Sequence, residues 1–237
     1  VLDCELRQNP YTESVFAVPK AEMLYASWGG RYDMWAGLLR EIFEEPSYDI
    51  PILENPNLTI LDLGANIGVS LDYFNKNGNK VYWVEGSTLL CECLNETKSH
   101  NETWNNVEIY NYIVSDKNEL MEFAFLPQNA TGSCRADTKI PDMNYIIEQV
   151  ESVTFDTLLN RLNLIDTPLD LLKVDIEGSE HFVLNQDFLV HDNIKHIIVE
   201  THNDLHIPIL HDLSSKYQYE FLRDSGSQKV IWFKNGN

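Results

Sequence analysis

No apolar run in the 237 residues approaches the roughly 20 consecutive apolar residues that a membrane-spanning helix requires, so membrane insertion is not expected. Basic residues are scarce: 17 Lys and Arg stand against 37 Asp and Glu, a net charge of −20. Such a surface repels phosphate backbones and anionic membranes, which makes nucleic acid a poor partner and leaves neutral or cationic partners and divalent metals compatible. Cysteine is limited to Cys4, Cys91, Cys93 and Cys134, and no spacing among them is that of a zinc ribbon. Reduced thiols of a cytoplasmic protein are expected. The start carries no basic, apolar signal segment and begins at Val1 rather than Met, so a processed form or a domain of a larger multidomain polypeptide is expected. Asn57, Asn95, Asn101 and Asn129 open Asn-x-Thr sequons, a match that chance supplies readily in an Asn-rich chain. There is no internal repeat and no low-complexity tract.

A Gly-x-Gly-x-x-Gly fingerprint is also missing. In its place stands Ile60-Leu61-Asp62-Leu63-Gly64-Ala65-Asn66-Ile67-Gly68, an apolar strand running into a glycine loop, with Val69–Phe74 behind it as the first turns of a helix. Strand, glycine turn and helix in that order make a ligand site at the carboxyl edge of a parallel sheet. Gly64 is read as allowing close approach to the ligand and Gly68 as allowing tight helix packing. Asp62 occupies the place of the first glycine, so the loop is poorly shaped for a pyrophosphate and suits a nucleoside with an amino-acid tail, lined by Gly64, Ala65 and Asn66.

Strands are expected at 58–63, 80–85, 107–114, 120–126, 150–154, 169–176, 194–200, 217–223 and 229–233, with helices at 68–77, 88–100, 155–162 and 179–189 between them. Asp224-Ser225-Gly226-Ser227 signals a closing hairpin. The expected fold is α/β: a mainly parallel, doubly wound sheet with an antiparallel C-terminal hairpin and helices on both faces. Residues 1–57 read as an N-terminal helical cap, with a helix near 36–43, ahead of a catalytic domain at 58–237. The aromatic stretch around Trp28, Arg31 and Tyr32 reads as part of that cap or as a flap over the ligand, and 127–141 reads as a long polar loop.

Three strand ends are acidic or polar. Glu85, followed by Gly86 and Ser87, is placed to accept hydrogen bonds from both hydroxyls of a ribose. Ser87-Thr88 is placed to cap the next helix. Ser115-Asp116 is placed to meet an adenine amine and ring nitrogen, although Ser-Asp is also a common turn.

Leu61–Gly68, Val84-Glu85-Gly86, Val114-Ser115-Asp116, Ser152–Leu158 and Leu172-Lys173-Val174-Asp175-Ile176-Glu177-Gly178-Ser179-Glu180 follow one another in order. Together they resemble the FkbM-type family of S-adenosylmethionine-dependent methyltransferases over roughly residues 58 to 202. The resemblance implies a Rossmann-like class I methyltransferase fold with a mainly parallel seven-stranded sheet, and O-methylation of a sugar, glycan or other natural-product hydroxyl, with deoxyhexoses favoured. Residues 1–57 and 127–145 carry no match, and acceptor choice is expected to reside there.

The chemistry is assigned to the Lys-Val-Asp-Ile-Glu-Gly segment. Lys173, Asp175 and Glu177 alternate onto one face of a buried strand. A lysine there demands a partner, so Lys173 is read either as catalytic or as bracing the sheet through Asp62 or Asp175. Asp62 is expected to touch the ligand's amino group or to hold Lys173. Asp175, Glu177 or His202 is placed to take the acceptor's proton. By analogy with metal-dependent sugar methyltransferases, Asp175, Glu200 and His202 are candidate ligands for Mg or Mn. His181 is a weaker base candidate, and His206 and His211 are expected at the surface. Two rival readings are an NAD-linked oxidoreductase, disfavoured by the missing fingerprint, and a non-catalytic nucleoside-binding module, disfavoured by so many costly polar groups in one strand end.

Overall fold

A computed structural model describes residues 4–19, 34–45, 47–126, 134–135, 144–202, 204–226 and 228–236. The aromatic stretch with Trp28, Arg31 and Tyr32, and most of the polar loop 127–141, lie outside the described residues. The chain enters as an antiparallel hairpin, β1 (Cys4–Gln8) and β2 (Val15–Pro19), where only a helical cap is expected. Its turn is held by polar side chains. Asn9 Nδ2 and Ser14 Oγ donate to the buried carboxylate of Asp72 at 2.7 and 2.6 Å, and Thr12 Oγ1 donates to it as well. Helix α1 (Met34–Leu39) then runs into a π-helical turn, Arg40–Glu44, in place of a single regular helix over 36–43.

The strand–turn–helix alternation follows: β3 (Thr59–Leu63), α2 (Val69–Phe74), β4 (Lys80–Glu85), α3 (Thr88–Ser99) and β5 (Val107–Asn111). Ser87 caps α3 by accepting from Leu90 N at 3.2 Å, as its sequence position suggests. The expected strand 107–114 breaks after Asn111. Ile113–Val114 (β6) pairs instead with a second sheet made with β7 (Glu119–Phe125), β8 (Cys134–Arg135) and β9 (Ile146–Val153), in the order β6-β9-β7-β8. The switch buries Ile113 against Phe123 and Val150. The main sheet is completed by β10 (Leu169–Val174), β11 (Ile194–Thr201), β12 (Tyr217–Ser225) and β13 (Gln228–Asn235). Between them lie α4 (Phe155–Arg161), the short α5 (Glu180–Val183), a 3-10 turn at Gln186–Val190 and α6 (His206–Leu213).

The seven-stranded order is β12-β13-β11-β10-β3-β4-β5, parallel except where β13 runs against its two neighbours. Side-chain alternation splits the core between the two faces. Leu61, Leu63, Val84, Leu172, Val174 and Val199 pack under α4 and α6. Ile60, Val81, Trp83, Leu171 and Ile198 face α2, α3 and the N-terminal segment. Asp62 and Lys173 belong to that second face, opposite one another in the β3–β10 register.

Strand β10 stops at Val174, two residues before the expected end. Asp175 N still donates to Leu63 O at 3.0 Å, but Glu177 and Gly178 then take left-handed backbone, φ 52° and 92°, and the chain turns. Asp175 and Glu177 therefore leave the strand and stand in the loop above it. A left-handed glutamate is costly and is concentrated at functional turns.

Candidate active site

The crevice above β3, β4 and β10 opens into a cavity of about 430 Å³. Gly64 builds its floor. Its φ is +85°, and an added Cβ would lie 1.7 Å from the Asp175 carbonyl oxygen. The glycine thus permits β3 and β10 to converge, a closer constraint than approach to a ligand. Gly68, at φ +91°, would drive a Cβ to 2.4 Å from the Trp83 ring, so it seats α2 on β4. Gly64 N and Ala65 N both donate to Val84 O, at 2.9 and 3.2 Å, which fixes the loop to the neighbouring strand.

Gly64, Ala65, Asn66, Glu85 and Gly86 line the cavity. Glu85 is buried, and its carboxylate accepts Asn66 N on one oxygen and Ser87 N on the other, both at 2.8 Å. Burial pushes its pKa up to about 7 against those two hydrogen bonds. The remaining lone pairs suit a vicinal diol. Five other expected cofactor positions are not among the lining residues: Asp62 and Gly68 support the wall from behind, and Ser87 caps α3. Ser115 Oγ turns to Ser152 Oγ at 2.6 Å, and Asp116 is exposed; neither lines the cavity. The apolar wall there is Val84, Tyr112, Ile113, Val114 and Phe123, a slot suited to a flat base. Tyr112 and Phe123 carry no sequence signal for this, because the second sheet that presents Phe123 is not visible as a pattern.

Lys173 is 2 % exposed, and its Nζ meets three oxygens. Its Nζ lies 3.0 Å from Asp62 Oδ1 and 3.5 Å from Asp175 Oδ2, and donates to Gly64 O at 3.1 Å. Ser70 Oγ donates to the other Asp62 oxygen at 2.6 Å. Burial disfavours the ammonium, but the Asp62 and Asp175 charges outweigh it and hold Lys173 protonated. This geometry favours the bracing reading: a permanent cation without a lone pair to accept a proton, tying together the floor, the loop and Asp175.

Asp175, Glu177 and His202 each turn a ligand atom inward, and those atoms lie within 4.8 Å of one another. His202 Nε2 is 3.3 Å from Glu177 Oε2, and Nδ1 is 3.1 Å from Glu180 Oε1. Burial disfavours the imidazolium, yet the Glu180 hydrogen bond and the Glu177 and Asp175 charges raise its pKa to about 10. Glu180, fully buried on α5, also accepts Ile176 N and Gly178 N, so it locks the turn that carries Glu177. Glu200 points elsewhere: Arg223 Nη2 lies 2.9 Å from it, and Glu177 takes its place beside Asp175 and His202. His181 does not line the cavity.

The far wall carries no sequence signal as a unit. Arg223, swung inward at a bulge in β12 after Phe221, bridges Glu200 and Glu41, the latter at 2.5 Å, and reaches Ser47 Oγ at 3.3 Å. Leu38, Glu41, Ile42 and the buried Tyr48 complete that side, so the N-terminal segment forms one wall of the site. Burial comes first in raising Glu200 to about 7, followed by the charges of Asp175 and Glu41.

The cavity's chemistry fits a sulfonium nucleoside. Glu85 serves a ribose, the apolar slot a base, and the buried Ser179 Oγ faces the cavity without a hydrogen-bond partner among the described residues. No helix of the described residues is long and apolar enough to cross a membrane.

Comparison with known proteins agrees with this reading. No curated protein matches the sequence. Among solved structures, TYW2 of P. horikoshii in complex with MeSAdo is 12 % identical, with a TM-score of 0.50 over 97 % of this chain and 69 % of that one. PH0793 of Pyrococcus horikoshii is 11 % identical, with a TM-score of 0.50 over 97 % and 70 %. TrmK of M. capricolum, in complex with S-adenosyl-homocysteine, is 11 % identical, with a TM-score of 0.45 over 78 % and 66 %. The chain thus spans about two thirds of the length of these proteins, and the likeness to the two P. horikoshii structures shows a class I methyltransferase fold. The methyltransferase FkbM domain matches residues 62–221, more than half of the sequence and all of the crevice except its N-terminal wall, Arg223 and Gln228. The chain therefore belongs to the FkbM methyltransferases and is an S-adenosylmethionine-dependent enzyme.

Proposed function

We propose that the enzyme O-methylates a hydroxyl of a sugar or glycan, with deoxyhexoses the first acceptors to try. When bound, S-adenosylmethionine supplies an electrophilic methyl group on a sulfonium. The chain's own residues then have two tasks: to align the acceptor oxygen with that methyl and to receive its proton. The observation that carries the reading is the Asp175–Glu177–His202 group at the rim of the nucleoside cavity, where the left-handed turn after β10 brings Glu177 to His202 at the end of β11.

Asp175 is the proton acceptor of choice. His202, its pKa raised to about 10, is already protonated at neutral pH, and Lys173 is a fixed cation. His202 instead orients Glu177 and balances the charge around Asp175. A divalent Mg or Mn would be held by Asp175, Glu177 and a deprotonated His202, and would lower the pKa of an acceptor hydroxyl. Opposite them, Glu41, Glu200, Arg223, Gln228 and Tyr48 alternate donors with acceptors, which suits a neutral, hydroxyl-rich molecule. The net charge of −20 argues against an RNA acceptor. A non-sugar natural-product alcohol is the alternative.

A labelled-methyl transfer screen tests the proposal, using deoxyhexose glycans, free sugars and simple polyols, each with and without Mg or Mn. Transfer to a sugar hydroxyl is expected. Transfer confined to non-sugar alcohols, or to nitrogen, would overturn the acceptor class.

A further inference from the structure

Cys4 and Cys93 are 89 positions apart in the sequence, yet their Sγ atoms lie 2.8 Å apart in the fold. Cys4 opens β1, and Cys93 faces it from the middle of α3. Cys91, two positions earlier, turns inward and donates to Glu85 O at 3.6 Å, so the helix presents one of its two cysteines to the hairpin. A disulfide needs sulfurs about 2.05 Å apart on opposed side chains. Closing the remaining gap asks for less than an ångström of side-chain movement.

We propose that Cys4 and Cys93 form an oxidisable pair, and that its disulfide staples the N-terminal segment to the catalytic fold. The pair borders a surface cavity of about 630 Å³ shared with Leu6, Ala17, Glu92, Asn95 and Glu96, which gives small molecules access. Cys93 is 2 % exposed and Cys4 is more open, so Cys4 reacts first. Its thiolate attacks one sulfur of a low-molecular-weight disulfide, forming a mixed disulfide and releasing one thiol. The Cys93 sulfur then attacks the Cys4 sulfur, expelling the second thiol. Two protein thiols are oxidised, one small disulfide is reduced to two thiols, and both protein protons end on the released thiols. The Glu92 and Glu96 carboxylates beside the opening favour a cationic disulfide over an anionic one.

The staple has a route to the active site. The hairpin's turn grips Asp72 on α2 through Asn9, Thr12 and Ser14. Tyr11 of the same turn stacks on Phe43, centroids 5.0 Å apart, in the π-helical turn whose neighbours Glu41 and Ile42 wall the crevice. Cross-linking residue 4 to α3 restricts the unfolded chain over a long loop and anchors this wall.

The test treats the whole protein with cystamine, alkylates it, and maps peptides without reduction. A Cys4–Cys93 linked peptide, lost after dithiothreitol, is expected, together with a rise of several degrees in Tm that Cys4→Ser does not show. The same treatment with glutathione disulfide at equal concentration should form the link several-fold more slowly. Recovery of Cys4 and Cys93 as separate alkylated thiols, or a link from either to another cysteine, would overturn the pairing. A link that leaves Tm unchanged would overturn the anchoring. Because the readouts are covalent mapping and melting, their outcome is independent of the acceptor.

Discussion

Lys173 Nζ lies 3.0 Å from Asp62 Oδ1, directly across the β10–β3 register and completely buried. Two adjacent parallel strands thus exchange a charge in the interior, just below the ligand crevice. Removing one partner leaves the other charge unpaired, whereas removing both in favour of apolar groups does not. Lys173→Met is expected to lower unfolding free energy by about 3–5 kcal/mol. The double change Lys173→Met with Asp62→Leu should recover much of that loss. Urea unfolding of the two single and one double variant measures the coupling, and additive losses would contradict the pairing.

Glu85 governs the pH dependence of nucleoside binding. Its folded pKa is raised to about 7, and only the carboxylate form can accept from both ribose hydroxyls while keeping its two backbone N–H bonds, since protonation turns one oxygen into a donor. Binding must therefore weaken as pH falls through 7. Between pH 8 and pH 6 the ionised fraction drops about tenfold, so the Kd for S-adenosylhomocysteine should rise by about that factor. Without ligand the sign is opposite. A carboxyl whose folded pKa exceeds its unfolded value of 4.5 contributes stability that is present at low pH and is lost as pH rises through 7. Calorimetric titration at both pH values, with Glu85→Gln as the variant whose affinity stays flat, checks the assignment.

Much of the fold and of the crevice's polar floor is legible in local sequence. The Asp62–Gly68 loop, Glu85 and the Lys173–Glu177 segment carry their meaning in local spacing, because strand ends and glycine turns are local events. The second sheet was not legible: residues 107–114 read as one apolar strand, and only long-range pairing of Ile113–Val114 with Ser152–Val153 divides it. The reading of Ser115-Asp116 as an adenine contact rests on position after that strand; the second sheet takes up Ser115 N with Val153 O at 3.0 Å and Ser115 Oγ with Ser152 Oγ. Arg223 was invisible for a related reason. A charged residue beside a hairpin turn looks solvated until a bulge and the N-terminal segment enclose it.

Arg223 neutralises Glu200 and Glu41 at the acceptor wall. Arg223→Ala should raise the acceptor KM at least tenfold while leaving S-adenosylhomocysteine affinity within about twofold, the loss expected when a charge-assisted pair of hydrogen bonds disappears. Steady-state kinetics on any acceptor found, combined with binding calorimetry, separates the two. An equal loss of cofactor binding would move Arg223 out of the acceptor wall.

If the Asp175–Glu177–His202 group takes a metal, the cation must displace the His202 proton. Mn affinity should therefore increase with pH, and binding should release a proton. His202→Gln should weaken it at least tenfold. Titration in two buffers of different ionisation enthalpy reads both effects. Proton-free, pH-independent binding would place the ion elsewhere.

The most direct test of the account is a single substitution, Asp175→Ala, measured twice. Labelled-methyl transfer should fall by at least a hundredfold, the usual contribution of a positioned base. The Kd for S-adenosylhomocysteine should stay within about threefold, because Glu85 and the glycine loop hold the nucleoside. A variant that binds the product normally and still transfers methyl at the full rate would contradict the assignment of the chemistry to the Lys173–Glu177 segment.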